Sequence, residues 1–153
     1  MNKGSPMVMD PEQAYRAVVA FLREHWERRP VPGDFGDFYG MCRYVPGKGT
    51  RDPAMWYDWL AWAKQVQTGE LVPRATGRRG SLTAELIPPL GLEQAYRAMY
   101  AFIEEYWNVV SRPAELGELL GEMRYTDGAG TANPEMWQRW LATVQKVQAD
   151  RLA

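Results

Sequence analysis

Glu12-Gln13-Ala14-Tyr15-Arg16-Ala17 occurs again, letter for letter, as Glu93-Gln94-Ala95-Tyr96-Arg97-Ala98, 81 residues later. Held at that offset, residues 12–67 align without a gap on residues 93–148, and 26 of the 56 positions are identical. The chain therefore reads as a tandem duplication: a module at residues 10–67, a second at 92–153, a connector at 68–91 and a disordered leader at 1–9. A module of about 60 residues buries only about 60% of its unfolded surface and is marginal alone. The two copies are accordingly expected to pack on each other, with seven Trp, eight Tyr and four Phe in the chain to fill the core.

Working outward from the repeated hexapeptide, each module predicts three helices, long, short and long, in an all-α fold. Asp10-Pro11-Glu12-Gln13 is a helix start: Asp10 suits the cap, Pro11 the first turn, and Gln13 the reciprocal position of a capping box. Ala14, Tyr15, Val18, Phe21, Leu22, His25 and Trp26 then fall on one face at helical spacing, opposite Arg16, Arg23, Glu24 and Glu27. Pro30 and Pro32 stop this helix. Phe35, Phe38, Tyr39 and Cys42 are spaced for a short second helix, matched by Leu116, Leu119, Leu120 and Met123. Gly36, Gly40, Gly117 and Gly121 weaken that helix by about 1 kcal/mol each, which suggests close helix–helix approach where they lie. Residues 46–50 and 127–131 read as plain loops. Asp52-Pro53 and Asn133-Pro134 open the third helix, with Met55, Trp56, Trp59, Leu60, Ala63 and Val66 facing inward and Met136, Trp137, Trp140, Leu141, Val144 and Val147 as their counterparts. In the connector, Leu82 to Leu86 suits a helical turn. Residues 71–74 and 78–82 have the form of protease and kinase sites, from which exposure alone is inferred.

Composition narrows the function classes. Net charge is −1, with residues 10–67 neutral and residues 91–153 carrying nine acids against six bases. Neither module has the dense basic surface of a nucleic-acid binder, so nucleic acid is not an expected partner. The single Cys42 fits a reducing compartment, no apolar run reaches the length of a membrane span, and no signal peptide opens the chain. A cytoplasmic protein with no membrane partner is expected.

The chemistry-bearing residues are few. Gly47-Lys48-Gly49-Thr50 lacks the strand and the residue order of a phosphate-binding loop. His25 is the lone histidine, and its counterpart is Tyr106; a partly buried place at an aromatic position of the helix suits it better than general acid–base work, for which Glu24 or Asp58 would be the partner. One His and one Cys make no metal site, and no cofactor is implied. Arg16 is placed for an ion pair with Glu12. Arg43 and Arg124 are expected to bond helix-end carbonyls or a carboxylate such as Glu24 or Glu105. Trp62, where the other copy has Thr143, lies off the buried face and suits contact between modules or with a partner. No constellation marks an enzyme.

Leu92 to Trp107, Leu116-Gly117-Glu118-Leu119-Leu120-Gly121 and Asn133-Pro134-Glu135-Met136-Trp137-Gln138-Arg139-Trp140-Leu141 together resemble the small helical immunity proteins of bacterial contact-dependent growth inhibition and related polymorphic toxin systems. The resemblance covers roughly three quarters of the chain, is better in the second copy, and departs at Phe38, Tyr39, Met41 and Cys42. It implies a non-enzymatic protein that binds a cognate toxin domain and blocks it. Partner-binding residues are expected where the copies differ: Arg23, Glu27, Arg28 and Trp62 in the first, and Glu104, Asn108, Glu115, Glu118 and Glu122 in the second. The rival reading is a tandem helical scaffold that binds a helix or peptide. Either suits a monomer with pseudo-twofold symmetry or a homodimer.

Overall fold

The computed structural model describes residues 8–28, 34–45, 49–50, 53–69, 87–110, 112–126 and 130–152. Among them the chain is predominantly helical, with three short antiparallel ribbons. The first half runs β1 (Val8–Met9), α1 (Pro11–Arg28), α2 (Asp34–Cys42), β2 (Tyr44–Val45), β3 (Gly49–Thr50) and α3 (Pro53–Thr68). The second runs β4 (Leu90–Gly91), α4 (Leu92–Val109), α5 (Ala114–Met123), β5 (Tyr125–Thr126), β6 (Gly130–Thr131) and α6 (Pro134–Leu152).

Local chemistry starts α1 and α6 as their sequences suggest. The Gln13 N–H donates to Asp10 Oδ1 at 2.8 Å and the Asp10 N–H donates to Gln13 Oε1 at 3.3 Å, closing the capping box. At α4, Gly91 replaces the cap, and only the return bond survives, from the Gly91 N–H to Gln94 Oε1 at 3.1 Å. Asn133 caps α6 by accepting from the Glu135 N–H at 3.1 Å. Asp52, its expected counterpart, lies outside the described residues.

Two sequence expectations need correction. The leader does not extend to Met9: Val8 pairs with Gly91 and Met9 with Leu90, and Met9 is 1% exposed. An apolar side chain next to the first helix gains more by burial than by fraying. Residues 1–7 lie outside the described residues, as do 70–86 of the connector, including its proposed helical turn and loop motifs. The connector's last residues are ordered: Ile87 and Leu90 are buried, and the Gln67 amide donates to the carbonyls of Pro88 and Pro89. The interhelical loops, finally, are entered and left through hairpin strands, Tyr44 pairing with Thr50 and Tyr125 with Thr131. Two-residue strands carry too little alternation to be read from sequence.

The decisive feature is which helix packs on which. The first and third helices of each half make few contacts with one another. Instead α3 lies chiefly against α4, and α6 against α1, while α2 meets α5. The two seams are reciprocal under the 81-residue offset, the relation expected of a two-fold, and Met9↔Leu90 pairs a residue with its own counterpart. Phe102 of α4 sits edge-on to Tyr15 at 6.2 Å and Trp59 at 6.2 Å, and 5.8 Å from Phe38. Across the other seam Phe21 of α1 meets Trp140 at 6.2 Å. A core stitched from both halves explains how a chain this small buries so many aromatic rings.

Polar groups taken into that core are satisfied twice over in the same way. The Tyr15 hydroxyl donates to the Cys42 carbonyl at 2.6 Å, and the Tyr96 hydroxyl to the Met123 carbonyl at 2.8 Å. The Trp59 indole N–H donates to the Pro11 carbonyl at 3.0 Å, and that of Trp140 to the Leu92 carbonyl at 3.1 Å. These bonds tie the short helix and the third helix to the first. Burial pushes the Tyr96 phenol well above its ordinary value, with Tyr100 adding to the effect. The glycines of the short helices answer to tryptophans: a Cβ on Gly36 would stand 3.0 Å from the Trp26 ring, and one on Gly117 3.3 Å from that of Trp107. Gly121 faces open space, so close approach accounts for the first glycine of α5 and not the second.

Candidate functional site

Among the described residues, concavities of two kinds differ in how they relate to the repeat. The first is a cleft of about 280 Å³ on the α3–α4 seam, lined by Met41, Met55, Asp58, Phe102, Glu105, Tyr106 and Val109. α4 supplies Phe102, Glu105, Tyr106 and Val109 at i, i+3, i+4 and i+7, one helical face. α3 supplies Met55 and Asp58, and α2 ends beside it with Met41. The Trp62 indole N–H donates to Glu105 Oε1 at 2.6 Å, a charge-assisted bond between the halves that fixes this carboxylate in place. Phe38 packs on Tyr106 at 4.4 Å and sets its ring. Val109, at the end of α4, remains 75% exposed.

Position by position, the counterparts on the α1–α6 seam are Glu122, Met136, Arg139, Phe21, Glu24, His25 and Arg28. There Arg139 reaches Glu135 at 3.5 Å and Met136 Sδ at 4.0 Å, Arg28 meets Glu24 at 3.9 Å, and Glu122 accepts from the Asn133 amide at 3.1 Å. One seam is apolar with two carboxylates; the other carries charges that pair locally.

The second kind of concavity occurs twice. A groove of about 590 Å³ is lined by Arg16, Val19, Ala20, Arg23, Trp26, Glu27, Tyr39, Arg43 and Val147. Another, of about 520 Å³, is lined by Arg97, Tyr100, Arg124, Tyr125 and Thr126. Arg97 and Arg124 are the counterparts of Arg16 and Arg43, and all four arginines are exposed. The Arg97 guanidinium stands 5.5 Å from the centre of the Tyr125 ring, whose hydroxyl donates to Glu93.

The residues expected to bind a partner fall into separate groups. Arg23 and Glu27 form an ion pair at 3.2 Å on the wall of the first groove, with Arg28 a turn further along α1. Trp62 faces Glu105 across the seam and so serves contact between the halves. Glu104 and Asn108 are exposed on α4, and Glu118 and Glu122 on α5. Glu115 accepts from the Phe35 N–H at 3.3 Å and therefore joins α5 to α2. Two local expectations fail. Among the described residues Arg16 makes no ion pair with Glu12, and Arg43 bonds neither a carboxylate nor a helix-end carbonyl. His25 is half-buried with its ring edge-on to Phe35 at 5.0 Å, an aromatic-type contact, and it does not line the groove that Arg43 enters. Among the described residues no three metal-ligating side chains converge, and no helix is long and apolar enough to cross a membrane.

The sequence reading missed the cleft because Met41, Met55 and Val109 look like ordinary core residues. It missed the grooves because identity between the copies was taken as a sign of folding; exposed arginines that are nonetheless identical were the available signal. No protein-family model matches the chain, and neither a curated protein nor a solved structure matches it.

Proposed function

We propose that this chain is a non-enzymatic binding protein of the immunity kind, which neutralises a cognate bacterial toxin domain by docking it at the α3–α4 cleft. The observation that carries the reading is Val109, a large apolar side chain 75% exposed at the rim of a cleft walled by Met, Phe and Tyr. Apolar surface bordering a pocket gains about 25 cal/mol per Å² when a partner covers it. Met41 and Met55 make an adaptable wall. Asp58 and Glu105 add two carboxylates, so the matching anchor is an arginine or lysine of the partner, its stem along the methionines and its head at the acids. Exposed Glu104, Glu118 and Glu122 favour a basic partner surface, such as that of a nuclease, by electrostatic steering.

Positions 41, 58, 62, 106 and 109 all differ from their counterparts, which supports placing partner recognition where the halves have diverged. In the same reading the halves are copies of one three-helix module duplicated in tandem, and only one seam became a binding site. Titration of the toxin domain encoded beside this gene tests the proposal. A one-to-one complex is expected, with Val109→Lys weakening it at least tenfold and Glu104→Gln chiefly slowing association. Unchanged affinity in Val109→Lys moves the docking face elsewhere. Failure of that domain to bind removes the immunity reading and leaves the scaffold reading.

A further inference from the structure

We infer that the two arginine grooves are a matched pair of small-molecule sites, each taking a phosphate monoester carried on a flat ring. The inference does not depend on the toxin-binding reading, because the grooves and the cleft share no residue. Three observations carry it. The same two arginines line both grooves, Arg16 with Arg43 and Arg97 with Arg124. Arg16, Arg43, Arg97 and Arg124 are exposed, yet both arginines of one half are identical to those of the other. In a chain of net charge −1, a pair of guanidiniums repeated at one place in each half is a local concentration of charge and not a general basic coat.

The second observation is the ring surface beside each pair. Tyr39 lines the first groove and Tyr100 with Tyr125 the second. Guanidinium forks match the oxygens of a phosphoryl group in two-point fashion, and a tyrosine face accepts a stacked heterocycle. Third, volumes of about 520 and 590 Å³ lie in the range of pockets that hold small organic ligands. In the first groove Glu27 is already paired with Arg23 at 3.2 Å, which leaves Arg16 and Arg43 without a described carboxylate partner. A nucleoside monophosphate has both required parts, and inorganic phosphate has only one.

Calorimetric titration of the full chain with adenosine monophosphate, with inorganic phosphate and with a poly-glutamate peptide tests this. The expected result is two adenosine monophosphate molecules per chain, with phosphate at the same sites at least tenfold weaker. Arg16→Glu and Arg97→Glu should each reduce the stoichiometry from two to one, and together abolish binding. Arg43→Gln and Arg124→Gln should weaken the same two sites, and circular dichroism of each variant should match the parent. No saturable binding of either phosphate probe at millimolar concentration overturns the inference. So does binding that survives the double arginine substitution, and so does binding of the peptide alone, which would assign the grooves to an acidic protein.

Discussion

The α3–α4 seam and the α1–α6 seam are built on one plan and have opposite surfaces. In each, a third helix lies on the first helix of the other half, its Trp indole bonds the start of the first helix of its own half, and an aromatic ring crosses between the halves. Outside that shared interior, Asp58 stands against Arg139, Met41 against Glu122 and Val109 against Arg28. The difference teaches where constraint ends. Close packing fixes the buried positions, and the seam's outer rim is free to change from a self-paired charged surface to an open apolar one.

The comparison breaks hardest at the tryptophans. Trp59→Ala and Trp140→Ala should each cost about 3–5 kcal/mol, measured by urea denaturation, because both are fully buried and hydrogen-bonded. Losses that differ by more than 2 kcal/mol would show that the interiors are not equivalent. Next, Trp62→Thr makes the first seam imitate the second. It should cost about 2 kcal/mol through the lost bond to a charged acceptor, whereas Thr143→Trp should itself cost about 1–3 kcal/mol, since Thr143 is buried and Glu24 is engaged with Arg28.

A smaller effect belongs to the buried Tyr96. The Tyr96 phenol is raised above 10.0 by burial first and Tyr100 second. Its contribution is therefore complete below about pH 10, the unfolded value, and is lost as pH rises through the higher folded value. Tyr96→Phe should lose about 1–3 kcal/mol at neutral pH and flatten the alkaline slope of stability; an unchanged slope would place the titration elsewhere. Smallest are the glycines. Gly121→Ala, with open space around it, should stabilise α5 by up to about 1 kcal/mol. Gly36→Ala should not, because Trp26 is already at 3.0 Å from where the Cβ would go. Thermal melts of the two side by side decide it.

Much of this fold was legible. Helix order, the capping box at Asp10 and the inward faces of Tyr15, Phe21, Trp59 and Trp140 follow from spacing and cap chemistry, which are local. Which helix packs on which is not local: nothing in α3 names α4 in place of α1 as its partner, since both offer the same kind of face. The cleft was hidden for the same reason. Met55 and Val109 acquire meaning only when the seam brings them together across 54 residues of chain. Arg43 shows the opposite failure, a partner assigned from charge alone that the folded chain holds out in solvent.

The crossing of the halves has a consequence for how this chain is made. α1 leaves the ribosome well before α6, the helix that covers it, so Phe21 is without Trp140 until the second half has been made. Contacts so distant in sequence slow the search for the native state. The apolar face of α1 is therefore open to a chaperone for longer than that of α3, whose covering helix α4 follows it sooner in the chain.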